Sequence, residues 1–229
     1  MKQFSGIWSL IASPEVVDVL LARDEDFIVF DLEHGNWSLN SVGSQLMACR
    51  RSQKVSVLRL PSPIPHAVQK ACDLFPDVVQ ISGLHSVEDF NLLRRTFEPV
   101  PDGTRGYSPW SQGSLLLGHG SAQSPSLVPQ IESVGFLRTL EQMDLEDLTS
   151  VGGLFVGRYD LSQSLGKRGE ITSSKVIDVL SRTLELCEKA GLSSWTVSPT
   201  VADADYMFSL GFDNVSISSD RQILRAGYS

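Results

Sequence analysis

A closed barrel of eight parallel strands alternating with helices, the (β/α)8 or TIM-barrel class of α/β fold, is what this sequence predicts. Short apolar runs rich in Val, Ile and Phe alternate with amphipathic segments eight times along 229 residues, and eight βα units in roughly 250 residues is the usual size of such a barrel. No composition break divides the chain, so residues 1–229 read as one domain. The alternative, a doubly wound open sheet, calls for a glycine-rich nucleotide loop, and neither GxGxxG nor a P-loop follows the first strand.

The elements follow in order. Gly6 to Ala12 is the first apolar run, and Ser13-Pro14-Glu15 starts a helix, with Ser as N-cap and Pro in the first turn. Phe27 to Phe30 is the second strand, four apolar residues that are all β-branched or aromatic. Ser38 to Arg51 carries Leu39, Val42, Leu46 and Met47 in helical register. Val55 to Leu60 is the third strand, Pro65 to Phe75 the third helix, Asp77 to Ile81 the fourth strand, and Ser86 to Phe97 the fourth helix. Glu98 to Ser126 is irregular and rich in Gly, Ser and Pro, the composition of a functional loop or lid.

Leu127 to Ile131 is the fifth strand despite Pro129, which would be at odds with a fully paired position. A short helix follows through Val134, Leu137 and Leu140. Gly153 to Val156 is the sixth strand, closed by Gly157-Arg158-Tyr159-Asp160. Val176 to Ala190 is an amphipathic helix ended by Gly191. Trp195 to Val197, a helix over Val201 to Leu210, a strand over Val215 to Ile217 and a short helix over Arg221 to Ala226 complete the series.

The formal net charge is −8, and Arg50-Arg51 and Arg94-Arg95 are isolated basic pairs, so a nucleic-acid or anionic-membrane surface is not expected. Cys49, Cys72 and Cys187 are far apart and in no metal-binding spacing, which reads as buried reduced thiols in a cytoplasmic protein. The first apolar run is broken by Ser9, Ser13 and Pro14, too short and too polar for a signal peptide or a membrane span.

Polar residues cluster where strands end. Asp31, Glu33 and His34 close the second strand, Arg59 the third, Glu132 the fifth and Asp160 the sixth. In a barrel these carboxyl ends share one mouth, where the chemistry of the class resides. Glu132 and Asp160, from adjacent strands, suit a hard divalent cation. Arg59 offers a permanent charge and planar donors for a carboxylate or an enolate oxygen; a salt bridge to Asp31 or Glu33 is the structural alternative. His34, with Asp31 as orienter, is a candidate base, although Asp31 and Glu33 could also cap the next helix and leave His34 on a surface loop. Gly157 precedes a helix start, where open N–H groups can take a substrate carboxylate.

Asp31-Leu32-Glu33-His34, Arg59-Leu60-Pro61, Gln130-Ile131-Glu132 and Gly157-Arg158-Tyr159-Asp160-Leu161-Ser162, in that order, resemble the signature series of the HpcH/HpaI aldolases, the metal-dependent (class II) pyruvate aldolases. The resemblance implies a TIM barrel and a lyase that cleaves a 4-hydroxy-2-oxo acid reversibly to pyruvate and an aldehyde. It implies that Glu132 and Asp160 hold Mg, Mn or Co, that Arg59 contacts the pyruvyl oxygens, and that His34 with Asp31 moves the proton of the substrate hydroxyl. Gln130, Gly157 and Tyr159 fall at substrate-binding positions. Asp73 matches an acid of the third helix that the family places near a neighbouring subunit's site, in homo-oligomers such as hexamers or trimers of dimers; a solvated helix acid is the other reading of it. Arg158-Tyr159 replaces the family's Pro-Ala, and Ile81-Ser82-Gly83 its Val-Pro, which suggests a divergent member with an unusual substrate. Two other functions stay open: condensation of an oxaloacetate- or pyruvate-type acid with an acyl-CoA, and a non-catalytic barrel kept for binding. The joint presence of Asp31, His34, Arg59, Glu132 and Asp160 argues against the last.

Overall fold

A computed structural model describes residues 2–117 and 124–227. Its eight strands are β1 Phe4–Ser9, β2 Phe27–Asp31, β3 Val55–Leu60, β4 Val78–Ile81, β5 Ser126–Ile131, β6 Gly153–Val156, β7 Ser193–Ser198 and β8 Asn214–Ser219. They close into a barrel in chain order, β8 returning to β1, and every neighbouring pair is parallel. Eleven helices are described: α1 Pro14–Leu21, α2 Gly43–Arg51, α3 Pro65–Leu74, α4 Val87–Phe97, α5 Gln112–Leu117, α6 Val134–Glu141, α7 Leu145–Leu148, α8 Arg158–Ser164, α9 Ser174–Ala190, α10 Val201–Leu210 and α11 Asp220–Ala226.

Strand alternation sorts the core into two shells. Ile28, Phe30, Leu58, Val79, Leu154 and Val215 face outward into the layer beneath the helices. Phe27, Val29, Val57, Val128, Phe155 and Trp195 fill the barrel interior, where Trp8 meets Phe155 edge-on with ring centroids 6.0 Å apart. The same two-residue period carries the inward faces to the mouth: Val29 is followed by Asp31, Val57 by Arg59, Val128 by Gln130, and Phe155 by Gly157. The apolar pattern that fills the barrel therefore also aims the polar residues.

Helix ends follow local chemistry. Ser13 accepts from the Val16 N–H, Ser86 and Asp89 form a reciprocal capping box, and Gly191 ends α9 at φ 68°, a left-handed conformation that favours glycine. Cys49, Cys72 and Cys187 are buried and unpaired, as expected, and burial pushes each thiol up to about 12.

Some boundaries differ from the sequence expectation. The first strand is Phe4–Ser9, not Gly6 to Ala12, because the N–H groups of Leu10 and Ile11 leave the barrel and donate to the Asp220 carboxylate, each at 2.8 Å. The second helix begins at Gly43 rather than Ser38; Ser38 and Ser41 hydrogen-bond each other's backbone and hydroxyl in a polar turn, competing with the helix. Pro129 does sit inside β5. The carbonyls of Leu127 and Ile131 accept from Gly152 and Gly157 on the β6 side, so the missing N–H of Pro129 faces β6, whose register with β5 begins only at Gln130. Two short helices, α5 and α7, fall where the sequence predicts none, α8 begins at Arg158 directly after Gly157, and the irregular stretch predicted over 98–126 lies partly outside the described residues.

Candidate active site

The carboxyl ends of the strands open on a cavity of about 380 Å³ whose lining includes Asp31, His34, Arg59, Gln130, Gly157, Tyr159 and Asp160. Seven of the residues singled out from the sequence therefore share one chamber, and Glu132 stands at its edge through Gln130.

Arg59 is held by two acids. Its Nε and Nη2 donate to the two Asp31 oxygens at 2.8 and 2.7 Å, and Nη1 lies 3.0 Å from Glu33 Oε2. The guanidinium carbon stands 4.4 Å from the centre of the Trp8 ring, a cation–π contact in a dry setting, and Trp8 is itself fixed by Nε1 donating to Ser216 Oγ at 2.7 Å. The salt bridge weighed as a structural alternative is thus present. It uses three of the five N–H groups of the guanidinium, leaving two for the cavity.

Asp31 is fully buried and spends its oxygens on Arg59 and on the backbone N–H groups of Glu33 and His34. It does not orient the His34 imidazole. The carboxylate near that ring is Glu33, with Oε1 3.8 Å from Nε2, because the turn after β2 directs the Asp31 side chain back into the barrel and the His34 ring out to solvent. Glu33 is tied in turn to the residue just after β4, accepting from Ser82 Oγ at 2.9 Å.

Glu132 accepts from the Gly83 N–H at 3.0 Å and from Gln130 Nε2 at 2.8 Å. Gln130 Oε1 accepts from Gln80 Nε2 and from Ser82 Oγ, so its amide positions Glu132 rather than reaching freely into the chamber. Burial, followed by the nearby Glu33 and Asp160 charges, pushes the Glu132 carboxyl above its ordinary value, against the Gly83 hydrogen bond and the Arg59 charge. Asp160 is exposed, and its carboxylate has no protein hydrogen-bond partner among the described residues.

The donor chemistry fits a hard cation. Among the described residues no three His, Cys, Asp or Glu side chains form a closed cage, so a divalent ion would take Glu132 and Asp160 and complete its shell with water and substrate oxygens, as magnesium does. The Glu33 and Asp160 charges that help raise the Glu132 carboxyl would be offset by such a cation.

Gly157 stands at the start of α8, and its own N–H donates to Ile131 O at 3.0 Å. The open N–H groups are those of Arg158, Tyr159 and Asp160, since α8 has no side-chain cap. A Cβ at 157 would stand 2.5 Å from Gln130 Nε2 and would displace the amide that holds Glu132. Arg158 points away from the chamber. It is fully buried, donates to both Asp203 oxygens and to the carbonyls of Val197 and Ile171, and pins the start of α8 to α10. Tyr159 alone of the pair faces the cavity, half exposed. Asp73 lies near the end of α3, outside the chamber lining, and burial pushes its carboxyl up against the Arg105 and Lys70 charges.

Trp8, Phe155, Val197, Ser218 and Gln222 also line the chamber and were not singled out from the sequence. Trp8 and Phe155 read as core because they sit in apolar runs; Ser218 and Gln222 carry no local signal.

A sequence profile described as HpcH/HpaI aldolase/citrate lyase matches residues 4–226. The 5-keto-4-deoxy-D-glucarate aldolase of Klebsiella pneumoniae subsp. pneumoniae is 26% identical over 226 residues, covering 96% of this chain and 88% of that protein. The hydroxypyruvate/pyruvate aldolase of Roseovarius nubinhibens is 27% identical over 196 residues, covering 81% and 74%. The crystal structure of an HpcH/HpaI aldolase/citrate lyase family protein from Burkholderia cenocepacia superposes with a TM-score of 0.83 at 23% identity, covering 100% of this chain and 95% of that one.

Proposed function

This chain belongs to the HpcH/HpaI aldolase/citrate lyase family, and on that premise we propose that it is a divalent-metal-dependent lyase cleaving a 4-hydroxy-2-oxo acid reversibly to pyruvate and an aldehyde. The observation that carries this reading is the chamber itself: a guanidinium with two N–H groups to spare, a carboxylate with no protein hydrogen-bond partner among the described residues and an exposed imidazole line one cavity.

Glu132 and Asp160 hold the cation, which supplies Lewis-acid polarisation of the 2-oxo group. Gln130 and Gly83 fix the Glu132 carboxylate. The open N–H groups of residues 158–160 receive the substrate carboxylate at the positive end of α8, with Tyr159 as the wall. His34 takes the proton of the 4-hydroxyl. The C3–C4 bond breaks, its electron pair passes into the enolate, and Arg59 donates to the oxygen on which that charge develops. Protonation of C3 releases pyruvate. Asp31 acts through Arg59, fixing the guanidinium so that its free edge faces the chamber.

The protein works as a cytoplasmic homo-oligomer on this reading, with Asp73 at a contact between copies. No described helix is long and apolar enough to cross a membrane. The test is exchange of the pyruvate methyl protons with deuterated water, with and without added Mn(II). Metal-dependent exchange supports the reading, and its absence under both conditions removes it.

A further inference from the structure

The chamber is charged on one side only. Asp31, Glu33, Arg59, Glu132 and Asp160 come from the ends of β2, β3, β5 and β6. The opposite wall is built by Leu10 after β1, Val197 and Pro199 at the end of β7, Ser218 and Ser219 of β8, and Gln222 of α11. None of these six carries a charge. The chain has 19 lysines and arginines, every one within the described residues, and Arg59 is the single one among the cavity-lining residues. Two others come close. Arg158 is buried against Asp203. Arg221 is exposed, but its guanidinium is directed at the carbonyls of His34 and Leu10 and at the Asn36 amide oxygen.

The balance of charge sharpens this asymmetry. Four carboxylates face one guanidinium at the mouth, and that guanidinium is already matched by Asp31 and Glu33. A divalent cation and the carboxylate of a 2-oxo acid together leave the mouth negative. A second carboxylate, carried on the aldehyde half of a substrate, would meet that surplus with no lysine or arginine other than Arg59 among the lining residues to receive it, and like charges held close together repel.

We propose that the aldehyde partner of this enzyme is uncharged, and that the wall formed by Leu10, Val197, Pro199, Ser218 and Gln222 selects a neutral aliphatic or hydroxylated aldehyde against its carboxylated counterpart. The inference rests on the pyruvate-aldolase reading above. It sets this chain apart from relatives named for a glucarate-derived substrate, whose two ends are both acids.

The experiment compares acceptors matched in size in the condensation direction, with pyruvate and Mn(II). Butyraldehyde and succinate semialdehyde differ by a methyl against a carboxylate; glyceraldehyde and tartronate semialdehyde differ by a hydroxymethyl against a carboxylate. In both pairs kcat/KM for the neutral member exceeds that of the acid by about tenfold or more. Equal values, or preference for the acids, overturn the proposal while leaving pyruvate proton exchange intact. Loss of exchange itself overturns the parent reading and this one with it. Gln222→Arg places a cation on the neutral wall and narrows the ratio in both pairs. A ratio unmoved by that substitution, in a variant that still exchanges pyruvate protons, overturns the placement of the aldehyde.

Discussion

Arg59 and Asp31 form a two-bond pair across adjacent strands, Nε to Oδ1 at 2.8 Å and Nη2 to Oδ2 at 2.7 Å, in a chamber wall that also stacks the guanidinium on Trp8. The two residues are register partners in the β2–β3 ladder, so the strand pairing itself brings the fork to the carboxylate. Both are buried. Removing one partner strands the other charge, which typically costs about 3–5 kcal/mol. Asp31→Ala is therefore expected to lower the midpoint of urea unfolding by a matching amount and to abolish turnover.

Arg59→Lys separates support from chemistry. Lysine keeps the charge but cannot hold Asp31 with two donors and still offer two more to a substrate. Pyruvate proton exchange is expected to fall about 100-fold or more, the scale of a lost oxyanion donor, while circular dichroism remains that of a folded barrel. Full exchange in this variant would make Arg59 a structural residue alone.

Glu132→Ala and Asp160→Ala are each expected to lose stoichiometric Mn(II) binding in titration calorimetry with the fold retained. Neither side chain takes part in the apolar core. Wild-type affinity in either variant would remove that residue from the metal site.

His34→Ala is expected to slow aldol cleavage by about 100- to 10,000-fold, the usual contribution of a general acid–base group, with metal binding unchanged. Glu33→Gln, which replaces the carboxylate beside the ring, should shift the pH–rate profile of cleavage; Asp31 makes no side-chain contact with that ring.

Acid stability tests the Arg158–Asp203 pair. Burial pushes the Asp203 carboxyl up, but the hydrogen bonds and charge of Arg158 outweigh it and hold the group below its ordinary value. A carboxyl depressed in the folded state contributes stability above its unfolded value and loses that contribution as the pH falls through the folded one. Wild type should thus lose this part of its stability below about pH 4. Asp203→Asn should be less stable at neutral pH and show a flatter decline over that acid range in urea titrations.

The sequence by itself determined the barrel and most of its mouth. Alternating strands with inward positions two residues apart place Asp31, Arg59 and Gln130 at strand ends whatever the loops do, because the pleat allows no other orientation once Val29, Val57 and Val128 are buried. What only the tertiary structure decided were the partners. Asp31 could have faced His34 or Arg59, three residues or one strand away, and the register of β2 against β3 chose Arg59. Gly157 could have offered its N–H to a substrate, and the last β5 carbonyl took it. Arg158 stood in line with the other mouth residues, yet the first turn of α8 rotates it outward to Asp203, leaving Tyr159 at the cavity. The neutral wall was invisible in the chain because Leu10, Val197, Ser218 and Gln222 come from three strand ends and a helix and carry no pattern of their own. Closure of β8 onto β1 is what assembles them into one surface.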